Sequence, residues 1–316
     1  MEITLDKIIS AHNRIKPYIH RTPVITSSSL NSMYGANLYF KCENFQKIGA
    51  FKIRGALNAA LSLPKDSVEK GLATHSSGNH AQAIALSAKL LGTKAHIVMP
   101  ENSPRVKINA VRGYGAEIYF CEPTLNAREE TMKEVISRTG ATFIHPYNDY
   151  RIIFGQATAC KELIEETGSL DAVIAPVGGG GLLSGTALSA RFLGKRTEVY
   201  AGEPEGAADA ILSFRSGKIE KASFINTIAD GLLTTLGEIT LRIIQKNVND
   251  IFLVSDEEII EALRIIYERL KIVIEPSSAV AFAAFIRNKE LFAGKKTGII
   301  LSGGNVDTEK FNFFGK

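Results

Sequence analysis

The stretch that decides the fold is Ala172-Val173-Ile174-Ala175-Pro176-Val177-Gly178-Gly179-Gly180-Gly181-Leu182. A short apolar run passes straight into four glycines and then into a segment of helical pattern. Such an order reads as a buried strand turning directly into a helix. One glycine would suffice for a tight turn. Four in a row let the backbone wrap closely round an anion, with the positive end of the following helix behind it. The loop lacks the GxGxxG register with an acidic residue about 20 positions on, and it has no Walker lysine. Dinucleotide and P-loop readings are therefore set aside.

The same strand-then-helix pattern repeats on both sides of this loop. Apolar, β-rich runs fall at 38–42, 72–75, 95–99, 117–121, 142–145, 172–177, 198–202, 251–254 and 297–301. Helical segments lie between them. Ser255-Asp256-Glu257-Glu258, for example, reads as a capping box that opens an amphipathic helix. Alternation of this kind predicts parallel sheets covered by helices on both faces, hence an α/β protein. No internal repeat, low-complexity stretch or Pro/Gly/Ser-rich linker divides the chain, so composition marks no domain boundary.

Bulk properties narrow the function classes. The chain has 316 residues, 45% hydrophobic and 22% charged, which suits a globular protein with one large core or two. Its formal net charge of +4 is small and dispersed, so no nucleic-acid or anionic-membrane footprint is present. No uncharged run approaches the ~20 residues needed to cross a bilayer. Cys42, Cys121 and Cys160 stand far apart without metal-like spacing, and the expectation is three partly buried thiols in a reducing compartment. The N-terminal residues lack the pattern of a signal peptide, and a cytoplasmic location is expected.

Three further segments carry chemistry. In Gly49-Ala50-Phe51-Lys52-Ile53-Arg54-Gly55, Lys52 is hemmed by two apolar side chains. Desolvation would lower its pKa and free the amine for a Schiff base. Read alone, a lysine snorkelling at a helix start is the favoured reading. Thr74-His75-Ser76-Ser77-Gly78-Asn79-His80 joins a strand to a helix, where hydroxyls and free N–H groups suit a carboxylate or phosphate. Ser76 or Ser77 acting only as a helix cap is the plainer reading. Leu301-Ser302-Gly303-Gly304-Asn305-Val306 ends the last strand, and ligands of open α/β sheets gather at such ends. Together the segments call for an aldehyde, a phosphate and an amino-acid carboxylate, which pyridoxal phosphate with an amino-acid substrate supplies.

At this point the chain resembles the serine racemase / serine–threonine dehydratase family, fold type II pyridoxal-phosphate enzymes. The resemblance rests on Phe51-Lys52-Ile53-Arg54-Gly55, His75-Ser76-Ser77-Gly78-Asn79-His80, the tetraglycine loop and Ser302-Gly303-Gly304-Asn305-Val306, and runs from Thr22-Pro23 to Asp307. It implies two lobes, each with a parallel-rich sheet covered by helices: a small one of residues 62–149 presenting Ser77, and a large one of 1–61 and 150–316. The cofactor would lie between them.

The resemblance also implies roles. Lys52 carries pyridoxal phosphate and acts as base on one face of the substrate α-carbon. Phe51 and Gly231 flank the ring, Asn79 meets its phenolic oxygen, and Ser302 faces its nitrogen. Gly178, Gly179, Gly180, Gly181 and Leu182 hold the phosphate. Ser76, Ser77, Asn79 and His80 lie where the family binds the substrate carboxylate, and Arg128 matches an arginine that approaches the substrate. In racemases a serine at the position of Ser77 exchanges a proton on the face opposite the lysine, whereas many dedicated threonine dehydratases carry alanine there. Glu203, Ala207 and Asp209 match a divalent-cation site suited to magnesium, calcium or manganese. Ser27, Ser28, Lys47, Gln82 and Asn305 match positions that bind an activating ATP in some racemases. The chain departs from that pattern at Ile48, where threonine is usual, and at Ala50, where serine is.

The expected activity is serine racemisation with accompanying β-elimination to a 2-oxo acid and ammonia, in a homodimer. A dedicated threonine, serine or 3-hydroxyaspartate dehydratase is the alternative. A β-replacement enzyme such as cysteine synthase fits less well, because that group has a different lysine motif. A catalytically silent amino-acid-binding protein is the reading from another class, and intact Lys52 and Ser77 speak against it.

Overall fold

The structure is a computed structural model that describes residues 2–76, 78–103 and 105–307. The chain opens with α1 (Leu5–Ile15), β1 (Val24–Ile25), α2 (Ser28–Tyr34), β2 (Asn37–Cys42), α3 (Lys52–Leu61) and α4 (Lys65–Glu69). It continues through β3 (Leu72–His75), α5 (Asn79–Leu90), β4 (Ala95–Pro100), α6 (Arg105–Gly113), β5 (Glu117–Cys121), α7 (Leu125–Thr139) and β6 (Thr142–Phe143). Next come α8 (Tyr150–Thr167), β7 (Ala172–Pro176), α9 (Gly181–Leu193), β8 (Glu198–Pro204) and α10 (Ala210–Ser216). The last elements are α11 (Glu238–Asn247), β9 (Asp250–Val254), α12 (Asp256–Leu270), α13 (Pro276–Arg287) and β10 (Lys296–Leu301).

Two sheets result, as the α/β reading expects. One has six strands in the order β1-β2-β10-β7-β8-β9, the other four in the order β5-β4-β3-β6. Every pairing is parallel except β1 with β2. Strand β1 escapes the sequence reading because two residues are too few to show a period. Strand β6 stops at Phe143, short of the expected 142–145. Beyond it the Ile144 carbonyl accepts from Thr74 Oγ1 and the His80 ring, and the Pro146 carbonyl accepts from Lys52, so these carbonyls serve side chains.

The central strands β7 and β10 of the larger sheet are buried on both faces, β10 from Thr297 onward, so they are mainly apolar. Ile174, Ile299 and Leu301 pack with Phe282 and Phe285 of α13, while Val173, Ala175 and Ile300 face Leu183 and Ala187 of α9. In the smaller sheet, Leu72 and Ile97 pack on Ala81 and Ile84 of α5, and Ala73 and Val98 on Met132 and Val135 of α7. Ile53, Ala56 and Leu57 of α3 join the core between the smaller sheet and α5, so a helix ahead of residue 62 shares that core. All three cysteines are buried and free, and burial pushes the thiols of Cys42 and Cys160 up to about 12. Among the described residues no helix is long and apolar enough to cross a membrane.

Helices α3 and α8 cross where side chains are absent. A Cβ on Gly155 would lie 2.4 Å from the Arg54 carbonyl oxygen and 2.6 Å from the Gly55 Cα. Backbone cannot yield there as a side-chain tip would. Gly155→Val should therefore cost at least the about 1–3 kcal/mol typical of overpacking. The check is a lower urea midpoint with an unchanged slope.

Candidate active site

Three neighbouring parallel strands bring the sequence motifs together. β2, β10 and β7 lie side by side, so the segments leaving their carboxyl ends emerge on one edge of the sheet. These are the run to Lys52, the Ser302 turn and the tetraglycine loop. β3 of the other sheet delivers Ser76 and Asn79. Backbone bonds lock the first two together: Phe51 N–H donates to the Ser302 carbonyl (3.0 Å), and Ala50 bridges Gly303.

Lys52 is the first residue of α3, and its Nζ donates to the Pro146 carbonyl at 3.3 Å. It also lies 5.1 Å from the Phe51 ring centroid. Burial pulls its pKa down to about 8, while the Glu275 carboxyl pulls the other way. Glu275, absent from the motif reading, is buried at the start of α13. Burial, reinforced by the charge of Asp230, pushes its pKa up to about 7. Asn79 Nδ2 donates to Glu275 Oε1 (2.8 Å), and Asn305 Nδ2 donates to Asn79 Oδ1 (2.8 Å) and the Ile48 carbonyl (2.6 Å). A buried glutamate just before Pro276 in an apolar stretch is the one signal that could have revealed it.

The tetraglycine loop is boxed in on every side. A Cβ on Gly178 would meet Leu232 Cα at 2.9 Å, on Gly179 the Tyr147 ring at 2.3 Å, and on Gly180 Leu236 Cδ2 at 2.7 Å. Gly180 adopts φ +83°, which favours glycine, and stands at the N-cap of α9. Thr240 Oγ1 donates to the Gly179 carbonyl (3.0 Å). The loop thus has its N–H groups at the start of a buried helix, the arrangement a phosphate requires. Tyr147, also missed by the motif reading, covers Gly179 and Gly181 and is hydrogen-bonded to Thr235. Gly231 N–H donates to Ser277 Oγ (2.9 Å), and Ser302 is buried at the end of β10.

The remaining expected residues fall in three groups. Ser76 Oγ accepts from Gly78 N–H (3.3 Å), and buried His80 donates through Nε2 to the Ile144 carbonyl (3.3 Å). Desolvation holds His80 neutral, and its Nδ1 has no partner. Ser77 lies outside the described residues. Arg128 of α7 is in electrostatic reach of His75, and its buried Nε has no partner. Glu203 ends β8 and accepts the N–H groups of Ala210 (2.6 Å) and Ile211 (2.9 Å). Asp209 N–H donates to the Ala207 carbonyl (3.0 Å), and Asp209 Oδ2 is buried without a partner. Of the nucleotide positions, Asn305 bonds to Ile48, beside Lys47, and Gln82 is buried in α5. Ser27 caps α2, and among the described residues neither it nor Ser28 bonds to Lys47, Gln82 or Asn305.

An amine with a pKa near 8 is partly unprotonated at neutral pH, so it can attack a carbonyl carbon. In cofactor-stripped protein, capture of pyridoxal at Lys52 should rise with pH and reach half its maximum near 8, far below a surface lysine. Removing the Glu275 charge removes an interaction that favours the ammonium, so Glu275→Gln should move that midpoint down. Borohydride trapping with peptide mapping gives both profiles.

Comparison with known proteins agrees with this geometry. Residues 15–303 match the family model described as pyridoxal-phosphate dependent enzyme. The chain is 50% identical to the β-hydroxyaspartate dehydratase of Paracoccus denitrificans over 307 residues, 97% of this chain and 98% of that protein. It is also 50% identical to the serine racemase of Dictyostelium discoideum, covering 96% of this chain and 95% of the relative. The structure of maize serine racemase superposes with a TM-score of 0.95 at 45% identity, over 98% of this chain and 95% of that one. The chain belongs to the pyridoxal-phosphate-dependent enzymes of fold type II, in the family of serine racemase, hydroxyaspartate dehydratase and threonine deaminase.

Proposed function

We propose that the enzyme is a serine racemase that also eliminates water from L-serine, releasing pyruvate and ammonia. The observation that carries the reading is the buried amine of Lys52, its pKa drawn down by burial to about 8, beside a helix-start glycine loop. Bound there, pyridoxal phosphate supplies an aldehyde for the amine and a ring that withdraws electrons from the substrate's α-carbon. On this reading the N–H groups from Gly178 to Leu182 hold the phosphate. Asn79 gives one amide hydrogen to Glu275 and keeps the other for the phenolic oxygen. Ser302 offers a hydroxyl to the ring nitrogen, and Phe51 and Gly231 flank the ring.

Lys52 takes the α-proton of L-serine. From there the enzyme has two outcomes. Loss of the β-hydroxyl as water, then hydrolysis, gives pyruvate and ammonia. Delivery of a proton to the opposite face, the role assigned to Ser77, gives D-serine. The hydroxyls of Ser76 and Ser77 and the backbone N–H groups of Asn79 and His80 at the start of α5 receive the substrate carboxylate, and Arg128 approaches the substrate. A dedicated 3-hydroxyaspartate dehydratase is the second reading. It is favoured by Arg128, whose unpartnered buried Nε could meet a second carboxylate, and by the hydroxyaspartate relative.

The experiment is a pair of variants assayed on L-serine, D-serine, threonine and 3-hydroxyaspartate. Lys52→Ala should lose the visible band of lysine-bound cofactor and all turnover; wild-type turnover would sink the reading. Ser77→Ala should still make pyruvate from L-serine but lose racemisation and elimination from D-serine by on the order of 10²–10⁴-fold. A natural enzyme that turns over hydroxyaspartate and never yields D-serine would establish the second reading.

Glu203, Ala207 and Asp209 fit a divalent cation. Desolvation pushes Glu203 up to about 8 and Asp209 up to about 6, and Asp209 Oδ2 is orphaned. A cation would relieve both, with the Ala207 carbonyl completing a hard oxygen set. Chelator should lower the melting temperature, and magnesium, calcium or manganese should restore it. The Glu203→Ala/Asp209→Ala variant should show no such response.

A further inference from the structure

Lys52 begins a helix whose N-cap residue is tied down through its backbone alone. Phe51, at the N-cap of α3, makes no side-chain capping bond. Two residues past Lys52, however, Arg54 is completely buried beside Lys41, Glu43 and Glu162, which are as thoroughly enclosed. Its Nε and one terminal nitrogen grip Glu43 Oε2 (2.6 Å) and Oε1 (2.8 Å). Its two terminal nitrogens grip Glu162 Oε1 and Oε2, each at 2.8 Å. Thr158 Oγ1 accepts a fifth bond (3.1 Å), and Lys41 Nζ closes the set on Glu162 (2.8 Å). Two carboxylates thus clasp two edges of one planar guanidinium.

This cluster touches nothing in the cleft. At 3.6 residues per turn, Arg54 points about 200° round the helix from Lys52. Nor is stability an adequate reason for it, since apolar replacements of buried ion sets are often as stable or more so. What two forks on a rigid plane supply is geometry. Glu43 follows β2 and Glu162 sits within α8, so the clasp fixes the rotation and slide of α3 against both.

We infer that Arg54, clasped by Glu43 and Glu162, is a positioning residue that sets the reach of the Lys52 amine towards the substrate α-carbon. The inference rests on the reading of Lys52 as the cofactor lysine. Lysine at position 54 would keep the charge but lose both forks.

The test compares wild-type holoenzyme with Arg54→Lys and with the uncharged quadruple variant Lys41→Met/Glu43→Gln/Arg54→Met/Glu162→Gln. Five quantities are read: melting temperature, kcat and KM for L-serine, the α-deuterium isotope effect, and the rate at which stripped protein recaptures pyridoxal phosphate. Folded variants should keep KM within about twofold, lose about 10- to 100-fold in kcat, show a larger isotope effect, and recapture the cofactor more slowly. A folded variant with unchanged kcat, isotope effect and recapture overturns the inference. So does failure of both variants to fold, which would make the cluster a requirement of stability. A Lys52→Ala control that still binds its cofactor as wild type does and turns over L-serine would sink the underlying reading instead, whatever the Arg54 variants do.

Discussion

The register of β10 between β2 and β7 is the constraint on which the site depends. Leu301 pairs with Cys42 and Ile299 with Ile174, so three carboxyl ends open at one level. Past its last strand residue the chain keeps bonding to the segment before Lys52. Phe51 donates to Ser302 and Gly304 to Gly49 (2.9 Å), while Glu275 N–H donates to the Gly303 carbonyl (3.0 Å). That stitching draws the starts of α3 and α13 to the same turn, and with them Lys52 and Glu275. Were β10 inserted elsewhere in the sheet, each motif would survive as a local pattern and the site would not exist.

Two buried ionic sets in the molecule behave oppositely, and the difference lies in how fully they are paired. Around Arg54 every charge has a geometrically good opposite, so Glu162 is held at about 2 and Arg54 stays charged. Around Lys52 the pairing is partial. The amine has one neutral carbonyl, and Glu275 has two neutral donors, the Asn79 amide and the Asn305 N–H, so desolvation wins and both groups drift towards neutrality near pH 7–8. The first set is suited to holding a helix still. The second is suited to exchanging a proton, because neither charge state is strongly preferred.

How much of this was legible in the sequence follows from the range of the interaction that fixes each residue. Strands 72–75 and 117–121 are read with their observed limits, because the apolar run and the turn chemistry that end them are local. Lys52, the glycine loop and Ser302 are legible as motifs for the same reason. Glu275 and Tyr147 were missed because their roles are not local; a glutamate just before Pro276 is the sole mark near the first, and the second has none. Glu275 matters through Asn79, and Tyr147 through Gly179 and Gly181, contacts that exist only once distant strands pair. Arg54 was quoted as part of a motif, but its partners Glu43 and Glu162 lie 11 and 108 residues away. The cation residues sit between these cases: the spacing of Glu203 and Asp209 is visible, while the orphaned oxygen that argues for an ion appears only in three dimensions.

The same α-carbon chemistry serves serine and 3-hydroxyaspartate, which differ by one carboxylate on the β-carbon. On the proposed reading Lys52 acts at an α-carbon that both molecules share, while the glycine loop and Ser302 meet the cofactor, so none of them can rank the two. Discrimination must come from groups that face the extra carboxylate. A buried cation facing it would be worth several hydrogen bonds, whereas the same cation left without a partner penalises the smaller substrate. Arg128, with a buried nitrogen lacking a partner, and Lys107, ion-paired to Asp230 beside Gly231, are the cations that frame this question. A pair already satisfied, such as Lys107 with Asp230, must first be broken to accept a new anion. An unsatisfied nitrogen, such as Arg128 Nε, needs no such exchange.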